Sequence, residues 1–110
     1  MISLTKIIVA MGVMVAPALC HSGDMTYYTP GLGACGQTNS ESDAVVAMSP
    51  AQYGHCGKTI NIHYKGKSAS AKIVDKCPGC AGDSIDVSPK VFQEFTDLAV
   101  GRVAVTWEYA

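Results

Sequence analysis

Two acids and two cysteines crowd one short stretch of this chain. Ile73-Val74-Asp75-Lys76-Cys77-Pro78-Gly79-Cys80 is followed by Ser84-Ile85-Asp86-Val87-Ser88-Pro89, which sets Asp75 and Asp86 eleven residues apart, each on an apolar run. Acids presented where strands meet turns are well placed to protonate or polarise a glycosidic oxygen. Asp86, between Ile85 and Val87 and with a second carboxylate near, suits the acid: burial and a neighbouring like charge both favour the protonated carboxyl. An inverting glycosidase also needs a base ~6.5–9.5 Å from the acid. Cys77 and Cys80 admit other chemistry. A dithiol redox motif would need a βαβ context, which this chain does not offer. A zinc site would need His55 and His63 as further ligands. In an oxidising compartment a disulfide is the expected outcome, and no metal or cofactor is expected.

Positioning these groups falls mainly to strands. Segment 25–29 is short and aromatic, and 44–48 is a continuous apolar run. Segment 59–64 alternates, with Ile60, Ile62 and Tyr64 on one face. A turn around Lys65-Gly66-Lys67 predicts a hairpin with a return strand over 68–75. Segment 102–109 alternates again, with Val103, Val105, Trp107 and Tyr109 on one side. One helix is marked by Ser88 as N-cap, Pro89 at the first position and Val91, Phe92 and Phe95 as its apolar face. A second short helix is expected from Ser49-Pro50 to Gly54. Short strands broken by frequent turns imply an all-β domain, a small barrel or a sandwich.

Residues 1–20 read as a signal peptide. Lys6 is the positive start, 7–15 the apolar segment, and Pro17-Ala18-Leu19-Cys20 the small-residue end. The apolar run is too short to span a bilayer. About 90 residues then remain, enough for one domain, here placed at 23–110. Without Lys6 they hold seven basic and nine acidic residues. That balance argues against a polyanion such as nucleic acid as the main partner. Cys35, Cys56, Cys77 and Cys80 form an even set in a small exported chain. Three pairings are possible, and Cys35–Cys56 with Cys77–Cys80 is the favoured one. His63 alternates outward and His55 precedes a cysteine, and neither has a Ser or Cys nucleophile at a recognisable spacing.

Six pieces, in order, carry a family resemblance: Gly23-Asp24-Met25-Thr26-Tyr27-Tyr28, Gly33-Ala34-Cys35-Gly36, Cys56-Gly57-Lys58, Val74-Asp75-Lys76-Cys77-Pro78-Gly79-Cys80, Ile85-Asp86-Val87-Ser88 and Gly101-Arg102-Val103-Ala104-Val105-Thr106-Trp107. Together they resemble the RlpA-like double-psi β-barrel domain of expansins and barwin-like proteins. The single-domain length and the Pro78-Gly79 pair look most like the small fungal loosenins. The resemblance implies a six-stranded double-psi barrel with one or two short helices and a shallow polar groove. It carries Asp86 and Asp75 over as the key acids, with Thr26, Tyr27 or Tyr28 beside them; Tyr53 is a further exposed aromatic for sugar. Related hydrolases take their base from an Asp near the first strand, where Tyr27-Tyr28-Thr29-Pro30 offers no carboxylate and Asp24 is a poor substitute. The implied function is a secreted, extracellular monomer that binds cellulose or chitin and loosens it without hydrolysis. Rival readings are a protein-binding module using loops 30–39 and 50–55, and a weak lytic transglycosylase.

Overall fold

The computed structural model describes residues 20–110; the expected leader over 1–19 lies outside them. Six strands close into a barrel: β1 (His21–Tyr27), β2 (Val45–Met48), β3 (Thr59–Tyr64), β4 (Lys67–Lys76), β5 (Ile85–Val87) and β6 (Val103–Tyr109). Their order around the barrel is β1-β5-β2-β4-β3-β6. Two pairings, β1 with β5 and β2 with β4, are parallel; the other four are antiparallel. This is the all-β, six-stranded barrel expected from the resemblance.

Alternation explains the core. Met25, Val46, Met48, Ile60, Ile62, Ile73, Ile85, Val87, Val105 and Trp107 point inward and are buried. Trp107 is fully enclosed, with its indole Nε1 donating to the Asp83 carbonyl at 2.8 Å, so the one polar atom of a large apolar group is satisfied. The helix α1 (Pro89–Gln93) packs against β1, β4 and β5 and buries Val91 and Phe92. Ser88 is its N-cap by backbone position, yet its hydroxyl does not cap the helix; it accepts instead from the Val45 N–H at 3.4 Å. The segment expected to be a second helix is a single 3-10 turn, Pro50–Gln52. Another such turn, Leu98–Val100, leads into β6.

The first strand begins at His21, four residues before the aromatic segment that marks it in the sequence. Ser-Gly-Asp has little strand propensity, but His21 through Met25 pair in register with β6. His21 stacks on Trp107 with ring centres 4.2 Å apart and meets Asp83 at 3.2 Å. The hairpin between β3 and β4 turns on Lys65 and Gly66, both at positive φ (48° and 81°), the backbone of a two-residue type I′ turn. Both expected disulfides are present: Cys35–Cys56 anchors the 30–39 loop, and Cys77–Cys80 clips the turn after β4. Cys20 is free and exposed.

Candidate functional site

One rung of the barrel assembles the acids. Thr26 on β1 pairs with Asp86 on β5, Asp86 pairs with Ala47 on β2, and Ala47 pairs with Asp75 on β4. Residues paired across neighbouring strands share a face. Their neighbours Met25, Ile85, Met48 and Ile73 fill the interior, so this rung faces out. It spans three strand spacings, ~14 Å, with the backbones of the two acids ~10 Å apart.

Asp75 is on that face only because β4 carries a bulge. Ala71 and Ile73 point inward, and strict alternation would send Asp75 in with them. The register slips at this point: Val46 faces Ile73, but Ala47 faces Asp75. Val74 is the extra residue, and its insertion re-aims Asp75 outward. The Val74 carbonyl accepts from the Cys35 N–H at 3.1 Å. A Cβ on Gly33 would collide with that carbonyl, so the 30–39 loop approaches the bulge as closely as it does because glycine stands there. The same loop locks Asp75: its Oδ1 accepts from the Ala34 and Lys76 N–H groups, each at 2.8 Å.

Asp86 sits in a different environment. Its Oδ1 accepts from the Thr26 hydroxyl at 3.0 Å. Partial burial pushes its carboxyl above the ordinary carboxylate range; Asp75 adds to this, and the Thr26 hydrogen bond and the Arg102 charge oppose it. Tyr28 completes the centre. It follows Thr26 on the outward side, its hydroxyl is buried without a partner, and burial with the two acids raises that hydroxyl to about 12. A group so raised stays protonated and offers an O–H donor beside two carboxyls. At the Asp75 end, the Tyr53 ring lies under Lys76 Nζ at 5.4 Å, with its hydroxyl on the Ala34 carbonyl at 3.4 Å.

Of the residues singled out in the sequence, the structure therefore brings together Thr26, Tyr28, Asp75 and Asp86, with Tyr53 at the edge. Tyr27 goes elsewhere: it is 36% exposed, but its ring rests on Phe92 at 4.9 Å and its hydroxyl donates to the Leu98 carbonyl, away from the acids. Asp24 pairs with Arg102 at 3.0 Å. Ala47 and Arg102 escaped sequence reading, because their roles depend on cross-strand register, which leaves no local signal. One expectation needs correction. His63 does have a serine: the hairpin register sets it against Ser68, whose Oγ lies 2.7 Å from His63 Nδ1. Among the described residues no group of three metal-binding side chains converges, and no described helix is long and apolar enough to cross a membrane. Thr26, Asp75 and Asp86 are part-exposed while Ala47 between the acids is buried, so the rung is a shallow strip, a shape that suits a polymer better than an enclosed small molecule.

No family model matches the chain. Individual proteins do. An Allergen Asp f 7 homolog of Arthroderma benhamiae is 44% identical over 88 residues, covering 72% of this chain but 30% of that protein. The chain likewise spans 36% of Allergen Asp f 7 of Aspergillus fumigatus, so it covers about a third of these two relatives. The papain inhibitor of Streptomyces mobaraensis is 31% identical over 100 residues, covering 80% of this chain and 70% of that one. The solved Streptomyces papain inhibitor superposes with a TM-score of 0.77 over 84% of this chain and 94% of its own. An expansin of Clavibacter michiganensis, solved as a mutant in complex with cellohexaose, superposes with the same TM-score of 0.77 at 20% identity, covering 84% of this chain and 50% of that one.

Proposed function

Because the chain belongs to the barwin-like double-psi β-barrel superfamily, we propose that it is a secreted, loosenin-type protein that binds a neutral wall polysaccharide, cellulose or chitin, along the Thr26–Asp86–Asp75 strip and loosens it without hydrolysis. The observation that carries this reading is the outward rung itself, with a carboxyl of raised pKa at its centre. In its protonated form, which partial burial favours, Asp86 donates a hydrogen bond to a glycosidic or hydroxyl oxygen. Tyr28, with its hydroxyl buried beside the two acids, backs this centre, and Tyr53 offers an aromatic face at the edge for the C–H surface of a pyranose. Two disulfides suit an oxidising, extracellular setting.

Cleavage has weaker support. A retaining pair would sit ~5–5.5 Å apart and an inverting pair ~6.5–9.5 Å; acids on strands separated by β2 fit only the second spacing. Asp75 has one oxygen held by two backbone N–H groups, which fits a positioning role. Pull-down on insoluble cellulose and chitin, with an assay of the supernatant for new reducing ends, tests the reading. Binding without release is expected, and Asp86→Asn should lose it. Sugar release would replace the reading with a hydrolase or lytic transglycosylase.

A second reading is favoured by one comparison: a papain inhibitor is 31% identical and is covered over 70% of its length. Loops 30–39 and 50–55 would then form the contact; Leu32 in the first is 76% exposed. Papain inhibition that survives Asp86→Asn, with no retention on either polymer, would select this reading.

A further inference from the structure

The barrel wall formed by β4, β3, β6 and β1 carries a second polar cluster. Ser68 Oγ is 2.7 Å from His63 Nδ1, and His63 Nε2 is 2.8 Å from Glu108 Oε1. Nucleophile, base and orienting acid thus lie in one hydrogen-bonded line on three adjacent strands, β4, β3 and β6. That is the arrangement by which a weak hydroxyl nucleophile is activated. The ring is used in the reverse sense from the familiar serine triad, with serine on Nδ1 and acid on Nε2; either nitrogen serves as base when the other carries the proton. Glu108 fixes that tautomer by accepting from Nε2–H.

The surroundings favour a substrate. His63 borders an open depression that Ser22, Gly23 and Thr106 share with the larger Tyr64, Val103 and Val105; Ser68 and Glu108 lie outside its lining, and Ser68 is exposed beside it. The turn at Lys65-Gly66 makes Tyr64–Lys67 the closing hydrogen-bonded pair, which leaves His63–Ser68 a non-hydrogen-bonded pair. The Ser68 N–H therefore points to the far side of β4, where β2 does not begin pairing until Lys72. It is a backbone donor next to the nucleophile, the part an oxyanion site requires. Cys20 Sγ lies 3.9 Å from Glu108 Oε1, on the acid rather than the base, and removal of residues 1–20 would leave the trio whole.

We propose that Ser68, His63 and Glu108 form an acyl-transfer site for small, exposed ester groups, independent of the polysaccharide strip. His63 Nδ1 takes the Ser68 proton as Oγ attacks the ester carbonyl. The alcohol leaves with that proton, giving an acyl-Ser68. Water, deprotonated by His63, then releases the carboxylic acid and restores Ser68. No oxidant, metal or cofactor is needed.

The test is covalent labelling of the purified protein with a fluorophosphonate, read by peptide mass spectrometry, alongside hydrolysis of p-nitrophenyl acetate. One adduct per chain on Ser68 is expected. Ser68→Ala should abolish it, and His63→Gln should slow it by ~100-fold, the usual worth of a general base. Asp86→Asn should leave labelling unchanged, which separates this site from the strip. Ser68 is exposed, so its variant should fold; circular dichroism and intact disulfides check that. Absence of a Ser68 adduct, or labelling at the parental rate in His63→Gln, would overturn the proposal.

Discussion

Gly33→Ala is the sharpest test of how the bulge aims Asp75. The added Cβ would meet the Val74 carbonyl carbon, its oxygen and Asp75 Cβ at once, and two of these three atoms are backbone. The loop cannot swing freely, because Cys35 is tied to Cys56 and the Leu32–Thr38 bridge closes its base. Overpacking of this kind costs ~1–3 kcal/mol. Retreat of the loop also breaks Cys35 N–H to Val74 O and Ala34 N–H to Asp75 Oδ1; a neutral bond is worth ~0.5–1.5 kcal/mol and one to a charged group ~1.5–3 kcal/mol. The variant should therefore lose ~2–5 kcal/mol, and at ~4–8 °C per kcal/mol its Tm should fall by ~8 °C or more. Gly31→Ala is the matched control, since nothing lies within 4 Å of a Cβ there; its Tm should hold or rise slightly. Thermal unfolding by circular dichroism reads both. Equal melting of the two variants would refute the argument that close approach at Gly33 positions the bulge.

Other outcomes follow from the same structure. Asp86 has a raised pKa in the fold, so its ionisation opposes folding: the contribution is favourable at low pH and lost as pH rises through the folded-state pKa. Urea denaturation of Asp86→Asn should show a stability gain over the parent at neutral pH that shrinks on acidification; a gap that widens in acid would contradict the cause given. Lys65 holds a left-handed backbone at φ 48°, where Asn is favoured in a type I′ turn, so Lys65→Asn should stabilise the hairpin by ~0.5 kcal/mol in the same assay. Replacing Cys35 and Cys56 by alanine opens a link with a sequence separation of 21 and should cost ~3 kcal/mol; polymer retention should fall with it, because the loop that holds Asp75 is released.

What the sequence declared and what it hid divide along a physical line. Strand identity was legible where side chains alternate: Ile60 and Ile62, or Val103, Val105 and Trp107, each state their own face. So was α1, because Pro89 and the Val91–Phe92 pair act within a few residues. The features that make the site are non-local. Asp75 faces out through a one-residue slip against Ala47, and nothing in Ile73-Val74-Asp75 distinguishes a bulge from plain alternation. Read by parity alone, Tyr27 and Tyr28 are equivalent candidates until Met25 is known to pair with Ile85 inside the barrel; that pairing sends Tyr27 to Phe92 and leaves Tyr28 over the acids. Ser68 and His63 were separated in the sequence by a turn and met only when the hairpin closed. Motif order therefore identifies this fold well and its site poorly. The two acids are a property of the chain, but their shared face is a property of the register, and a single glycine against a single carbonyl keeps that register in place.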